Sequence, residues 1–388
     1  MKRRVAIVTL TLAACVSVLF VVDACTIVNG LVVDVGESGP APSVDAGDAS
    51  DGAVDPCVHA RPPSAPPFDP TAPQGAEVFV VVATAADFGI RANGMFEAIS
   101  FDLDGVCTCL VPPGMKPVPG SCNPNGDPKT LMQCDTAGGE DNGAQGILNE
   151  AVQANLDFAK ASSESVNTGG RSILIRVQDY NGQPNDSEVR VSVLVSPGLY
   201  DAAGTKTMTP TFTTADTWSV DMAVTTDRGN GVIVPNVTTP GYVVDSVLVV
   251  NPPSISLPVS QVAVLTMTSP VMTAKVVAVA GGHTLGDVAV AGRWSVAEAI
   301  RVVGSFEPSV GAGRLCEKPA FQAIYDPLKQ RICQAADLRS LPADDNKGKD
   351  CDAVSVAVKV TGKPASLGPQ RVVDTTGYCA DAGVTCPK

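Results

Sequence analysis

Only two histidines occur in the 388 residues, and they constrain nucleophilic catalysis more than any other residue type. His59 lies in a proline-rich stretch that reads as a spacer. His283, in Gly281-Gly282-His283-Thr284, is then the one base open to a Ser-His-Asp hydrolase. No Gly-x-Ser-x-Gly elbow presents a nucleophile, and no His-Glu-x-x-His pair puts two zinc ligands on one helix face. The flanking glycines mark His283 as a hairpin-turn residue instead. Phosphate cradles are absent as well. Gly348-Lys349 runs into Asp350 without the preceding glycine of a phosphate loop, and Gly311-Ala312-Gly313 lacks a third glycine at the required offset. Nucleotide binding is disfavoured.

Oxygen-rich loops are the positive candidates. Calcium takes six to eight oxygens, often carboxylates and amides of one loop. Asp179, Asn181, Gln183, Asn185, Asp186 and Glu188 crowd one turn, Glu140-Asp141-Asn142 another, and Asp102 and Asp104 flank Leu103 ahead of Gly105. The first loop is the chosen calcium candidate, through Asp179, Asn181, Asn185, Asp186 and Glu188. It is not an EF-hand, because Pro184 stands where the sharp turn needs glycine. The competing reading is a hairpin turn whose Asn and Asp side chains bond their own backbone. Paired carboxylates also serve glycosidases, but any acidic chain offers such pairs. Sugar grooves favour aromatic platforms, and Trp218 and Trp294 read better as core residues.

Twelve cysteines suit an oxidising compartment. With Cys15 in the apolar N-terminal run and Cys25 set aside for a lipid, an even set remains: Cys57, Cys107, Cys109, Cys122, Cys134, Cys316, Cys333, Cys351, Cys379 and Cys386. They form two clusters, in segments 107–134 and 316–386, with Cys57 ahead of both. Nested Cys107–Cys134 and Cys109–Cys122 bridges and a Cys379–Cys386 loop are the expected pairing. Cys107-Thr108-Cys109 is not paired with any Cys-x-x-Cys, so a thiolate metal site is disfavoured.

The elements that must position these residues are short strands. Valine- and threonine-rich runs recur at Val78–Val82, Ile173–Val177, Val189–Val195, Trp218–Val224, Tyr242–Val250, Val262–Met267, Val271–Ala280, Val288–Ala291 and Val354–Val360, with turn residues between. Val189, Val191, Val193 and Val195 alternate with Arg190 and Ser192, as one buried face requires, and Leu194 breaks the pattern. These features predict a mainly β protein: a β-sandwich, jelly-roll or lectin-like, with disulfide-rich edges and two short helices. One helix follows Ala144, Ile147, Leu148, Ala151, Val152, Leu156 and Ala159, with Asn142 as cap and Gln145 reaching back. The other starts at Asp326 with Pro327 in its first position.

At the N-terminus, Lys2, Arg3 and Arg4 precede an apolar run from Val5 to Val22, the layout of an export signal. Val22-Asp23-Ala24-Cys25 resembles a lipobox, which makes Cys25 the expected lipidation site. The expected organisation is a signal at 1–24, a lipid-anchored Asp/Ala/Gly/Pro tether at 25–75, disordered by composition, and a folded domain at 76–388. The expected location is the outer membrane or cell surface, held by a lipid; plain cleavage after Ala24 would give a periplasmic or secreted form. A net charge of −13 disfavours nucleic acid and anionic membrane surfaces as partners.

Cys134-Asp135 with Gly138-Gly139-Glu140-Asp141-Asn142 forms one motif, and Ile175-Arg176-Val177 leading to Tyr180-Asn181-Gly182-Gln183-Pro184-Asn185-Asp186 a second. Ile332-Cys333-Gln334-Ala335-Ala336-Asp337 before Cys351-Asp352 is the third. Together they resemble a group of secreted lipoproteins of myxobacteria and their relatives, over roughly residues 1–360. The resemblance implies export and a lipid anchor, and it transfers no catalytic residue. Three functional readings follow. The first is a non-enzymatic, lipid-anchored surface module of structural or interaction type, its protein or glycan partner unspecified. The second is an extracellular glycan- or ligand-binding module in which calcium takes part. The third is a hydrolase working through carboxylates. No cofactor other than calcium is implied.

Overall fold

The run Ala353-Val354-Ser355-Val356-Ala357-Val358-Lys359-Val360 sets the architecture. Its valines bury on one side and its small or charged residues on the other, so a single strand serves two environments. The computed structural model describes residues 58–71, 73–91, 95–111, 116–125, 133–136, 138–201, 203–207, 209–229, 232–260, 263–308, 312–373, 379 and 386. The expected signal, Cys25, the acidic part of the expected tether and Cys57 lie outside them.

In chain order the first elements are β1 (Glu77–Asp87), α1 (Ala144–Gln153), α2 (Phe158–Asn167), β2 (Ser172–Tyr180), β3 (Asp186–Ser196), β4 (Gly198–Leu199) and β5 (Thr217–Asp221). Next come β6 (Thr225–Asp227), β7 (Ile233–Pro235), β8 (Thr239–Val244), β9 (Val247–Val250), β10 (Ser254–Pro258) and β11 (Val264–Val279). The last are β12 (Gly282–Ser295), α3 (Val296–Gly304), α4 (Gln322–Gln334) and β13 (Ala353–Arg371).

The expected β-sandwich is wrong. Strands pair in the order β1-β2-β3-β8-β9-β11-β12-β13, and β13 returns antiparallel to β1, with Val80 opposite Ala365 and Ala83 opposite Gly362. Eight antiparallel strands therefore close into a barrel, which removes the sheet edges that a sandwich leaves open. Strands β10, β5 and β4 extend this sheet, and β6–β7 is a separate ribbon. Alternation along a strand cannot tell the two architectures apart, because both bury one face. The decisive pair, β1 with β13, joins the two ends of the fold.

Val81, Ile175, Val191, Met272, Val290, Val356 and Trp294 fill the main core. Outward positions on the same strands include Arg190, Lys275, Arg293 and Lys359, so the wall has an apolar inside, the reverse of a porin-like lumen. No helix among the described residues is long and apolar enough to cross a membrane. Two outer patches are also covered. Leu194, the residue that broke the alternation, packs outside the barrel with Val82, Leu174, Trp218 and Val220 beneath β5. Both tryptophans are core residues, as expected.

Among the described residues, four α-helices replace the expected two. The first breaks at Asn155, whose φ is 63°, and Asp157 then caps α2 by accepting from Lys160 N–H at 2.9 Å. Gly143, not Asn142, holds the N-cap of α1. Gln145 does not reach back; it donates to the carbonyls of Phe88 and Glu97. Pro327 lies inside α4 rather than at its start, forfeiting the bond to the Ala323 carbonyl. Helix α3 was not anticipated, although Ser295 and Glu298 have the spacing of a capping box and Ser295 Oγ accepts Glu298 N–H at 3.3 Å.

The disulfides also differ from expectation. The bridges are Cys109–Cys134, Cys122–Cys351, Cys316–Cys379 and Cys333–Cys386, and Cys107 is disulfide-bonded too. Cys122–Cys351 spans 229 residues, because the barrel brings the two cysteine clusters together on one wall. The proline-rich residues 58–63, expected as part of a free tether, bond to the body. Ala60 N–H donates to the Gly138 carbonyl at 3.0 Å, and Tyr242 Oη donates to the Pro63 carbonyl.

Candidate functional site: a buried carboxylate centre on the barrel wall

Ala291 of β12 lies opposite Ala357 of β13, and Arg293 opposite Ser355, all facing outward. Alanine and serine leave this part of the wall thin enough for loops to press onto it. Ile99 packs against Ala291 and Ala357, with Phe101 and Leu103 beside them. The chain just after Phe101 carries Asp102 and Asp104 down onto the wall. Arg293, only 1% exposed, fixes that loop: its Nη2 donates to the Leu103 carbonyl at 2.7 Å, and its two Nη groups bind the Asp345 carboxylate at 2.9 and 2.7 Å. A bidentate pair of this kind holds a plane as well as a charge.

Asp141 approaches from the segment before α1. Its N–H donates to the Phe101 carbonyl at 3.0 Å, and its Oδ2 accepts Leu103 N–H at 2.6 Å. The two loops are thereby laced together. One carboxylate oxygen each from Asp102, Asp104 and Asp141 lies within 4.8 Å of the other two. Asp102 is further bound by Gly105 N–H at 2.7 Å and by the His59 imidazole, while its own N–H donates to the Ala60 carbonyl at 2.8 Å. Asp104 uses Oδ1 to accept Val106 N–H at 2.8 Å. Its Oδ2 is buried, and its side-chain neighbour is the equally buried hydroxyl of Ser121, a residue 2% exposed.

Two more carboxyls complete the centre. Asp135, next to the Cys109–Cys134 bridge, accepts Thr108 N–H at 2.7 Å. Asp337 accepts Ser355 N–H at 2.7 Å and the Ser355 hydroxyl, and that hydroxyl accepts Gly143 N–H at 2.7 Å. Position 143 is tight: a Cβ there would stand 2.8 Å from Asp337 Oδ2 and 3.0 Å from the Ala335 carbonyl oxygen, so a side chain would displace the Asp337 carboxyl.

Burial and mutual repulsion shift all four inner carboxyls upward. Desolvation is the largest cause at each. It raises Asp135 to about 8 and Asp337 to about 7. Asp141 lies well above the ordinary carboxylate value, pushed further by Asp104, Asp135 and Asp337. Asp104 is raised too, with Ser121 and Val106 N–H acting in the opposite direction. So many carboxyls cannot all hold charge in a dry pocket. They either keep protons or share a cation.

The chosen calcium candidate is elsewhere, at the β2–β3 hairpin. Asp186 accepts the N–H groups of Asn181 at 2.7 Å and Glu188 at 3.1 Å, Asn181 Oδ1 accepts Gln183 N–H at 2.8 Å, and Asn185 Oδ1 accepts Asp245 N–H at 2.9 Å. Asp179 pairs with Arg190. Asp179, Asn181 and Asp186 thus serve the hairpin's own geometry, Asn185 ties it to the β8–β9 turn, and Glu188 contributes its backbone N–H. The other two oxygen-rich loops, at Asp102/Asp104 and Asp141, are the ones that converge. His283 sits near the β11–β12 turn, bound through Nδ1 to Glu77 at 2.8 Å. His59, set aside with the spacer, is the histidine that joins the carboxylates. Asp135 and Asp337 stood in the motifs of the lipoprotein resemblance, beside or near cysteines, with nothing in their spacing to mark them as ligands. No family model matches the chain, and no curated protein or solved structure is similar to it.

Proposed function

We propose that this disulfide-braced barrel is a calcium-dependent binding module whose cation is held by Asp102, Asp104 and Asp141, with Ser121 and Asp135 alongside. One observation carries the reading: three carboxylate oxygens lie within 4.8 Å of one another, and the buried Asp104 carboxyl has the Ser121 hydroxyl as its side-chain neighbour there. Oxygens bound at 2.3–2.6 Å on opposite sides of one calcium ion stand about 5 Å apart, so this spacing suits such an ion. All donors are hard oxygens, which favours calcium over softer metals. The Cys109–Cys134 and Cys122–Cys351 bridges adjoin Asp135 and Ser121, Cys107 is bonded as well, and such cross-linking suits an oxidising compartment, where calcium is plentiful.

Hydrolysis through the carboxylates is supported less. The raised values of Asp135 and Asp337 would suit a proton donor. Asp141 is only 2% exposed, however, and the Asp102 side chain is fully covered, so neither of these two carboxyls faces a substrate bond. An ion needs far less room. Calorimetric titration of the chelator-treated full chain with calcium chloride tests the proposal. One site is expected, with affinity falling on the order of 100-fold in Asp104→Asn, because ligand charge sets calcium affinity. No heat up to about 10 mM calcium, a weak limit for extracellular sites, would remove the reading.

A further inference from the structure

A cavity of about 660 Å³, away from the carboxylate centre, opens where β13 leaves the barrel. Val80–Ala365 is the last β1–β13 pair, and Ser366 begins pairing with Thr217 of β5, so the strands fork. Phe212, Glu77, His283, Thr213, Ser366 and Leu367 line the resulting cleft. Phe212 has a φ of 55°, a costly conformation for a bulky side chain. It is held there by Asp216, which accepts the N–H groups of Thr211 at 2.7 Å and Phe212 at 2.6 Å and the Thr211 hydroxyl at 2.9 Å. Behind it, the fully buried Trp218 stacks at 6.5 Å with 19° between the rings. The phenyl ring is therefore a fixed platform. The Glu77–His283 pair supplies a carboxylate and an imidazole in the same cleft.

We propose that this cleft binds a glycan, with one pyranose ring laid against Phe212 and its hydroxyls bonded to Glu77 and His283. Its volume is that of a small-ligand site. The carboxylate of Glu77 and the net charge of −13 repel phosphates and other anions. A purely apolar ligand would leave the Glu77–His283 pair desolvated without a new partner. A pyranose has a flat apolar face and a rim of hydroxyls, which meets both conditions. The cleft uses none of the cation ligands, so it stands or falls separately from the calcium proposal.

The test titrates the full chain by calorimetry with cellohexaose, chitohexaose and maltohexaose, each to about 5 mM, a range that detects affinities near 1 mM. Binding to at least one is expected, with affinity lowered at least about tenfold in Phe212→Ala, in line with loss of an aromatic anchor. Glu77→Gln should weaken it several-fold, since the amide keeps the shape and loses the charged acceptor. Thermal melting of each variant checks that the fold persists; if Phe212→Ala fails to melt cooperatively, Glu77→Gln decides alone. No heat with any of the three sugars, or binding unchanged in the folded variants, overturns the proposal.

Discussion

Asp104 carries opposite consequences for stability and for binding. Its carboxyl is buried beside other carboxyls, and desolvation raises it more than Ser121 and Val106 N–H lower it, so in the calcium-free protein it is a cost. Asp104→Asn should raise the melting temperature without calcium by a few degrees, equivalent to about 1 kcal/mol. The same change should abolish the calcium-induced rise. Differential scanning with and without calcium measures both signs, and a variant that melts lower in both conditions would contradict this account. Arg293 acts by position. Arg293→Ala leaves Asp345 and the Leu103 carbonyl buried without their partner and should cost about 3–5 kcal/mol. Arg293→Lys should recover only part, because an ammonium cannot reproduce the planar fork. Denaturant titration separates the two.

Among the elements, the segments carrying Asp102 to Thr108 and Asp135 to Asp141 are held together by a bridge as well as by hydrogen bonds. Cys109–Cys134 closes a loop of 25 residues, worth roughly 3 kcal/mol by chain entropy, and it adjoins Asp135. Replacing both cysteines with alanine should lower the melting temperature and weaken calcium binding together. Replacing Cys316 and Cys379, which brace the C-terminal segment instead, should lower the melting temperature and leave calcium affinity within about twofold. Such contrasts also mark what could be read from sequence. Strands at Val288–Ala291 and Val354–Val360 were legible because the valine alternation is local. Their outward Ala291, Ala357 and Ser355 look unremarkable in sequence, yet they form the floor on which the carboxylates rest. The loops of Asp102/Asp104 and Asp141 were legible as oxygen-rich. Their convergence was not, since it depends on cross-links and on hydrogen bonds spanning about 40 residues. Asp337 joins from the far side of the chain, and no spacing rule reaches that distance.

For the molecule as a whole, the raised carboxyls predict an unusual response to pH. In the unfolded chain Asp135 and Asp337 return to the ordinary value of 3.8, whereas folded they rise to about 8 and about 7. The folded state therefore binds more protons between these limits, and the stabilisation present near pH 4 is lost as pH rises through 7 and 8. Each group contributes at most about 1.4 kcal/mol per pH unit across its window. The calcium-free protein should thus be less stable at pH 8 than at pH 5 once other groups are matched by an Asp135→Asn/Asp337→Asn control. Calcium should restore it at pH 8, where protons no longer compete for the oxygens. Melting curves across pH 4.5–8.5 check both trends.

Barrel closure has a further consequence. The partner of β1 is β13, and Val80 meets Ala365 only after nearly the whole chain is available. Until then the earlier strands form an open ribbon with two bare edges, a template for sticking to neighbouring copies. Ribosomal synthesis must therefore finish, or a holding factor must intervene, before the polypeptide can protect itself. A fragment ending at Asp352 should aggregate, while supplying a peptide of residues 353–371 in trans during refolding should rescue solubility.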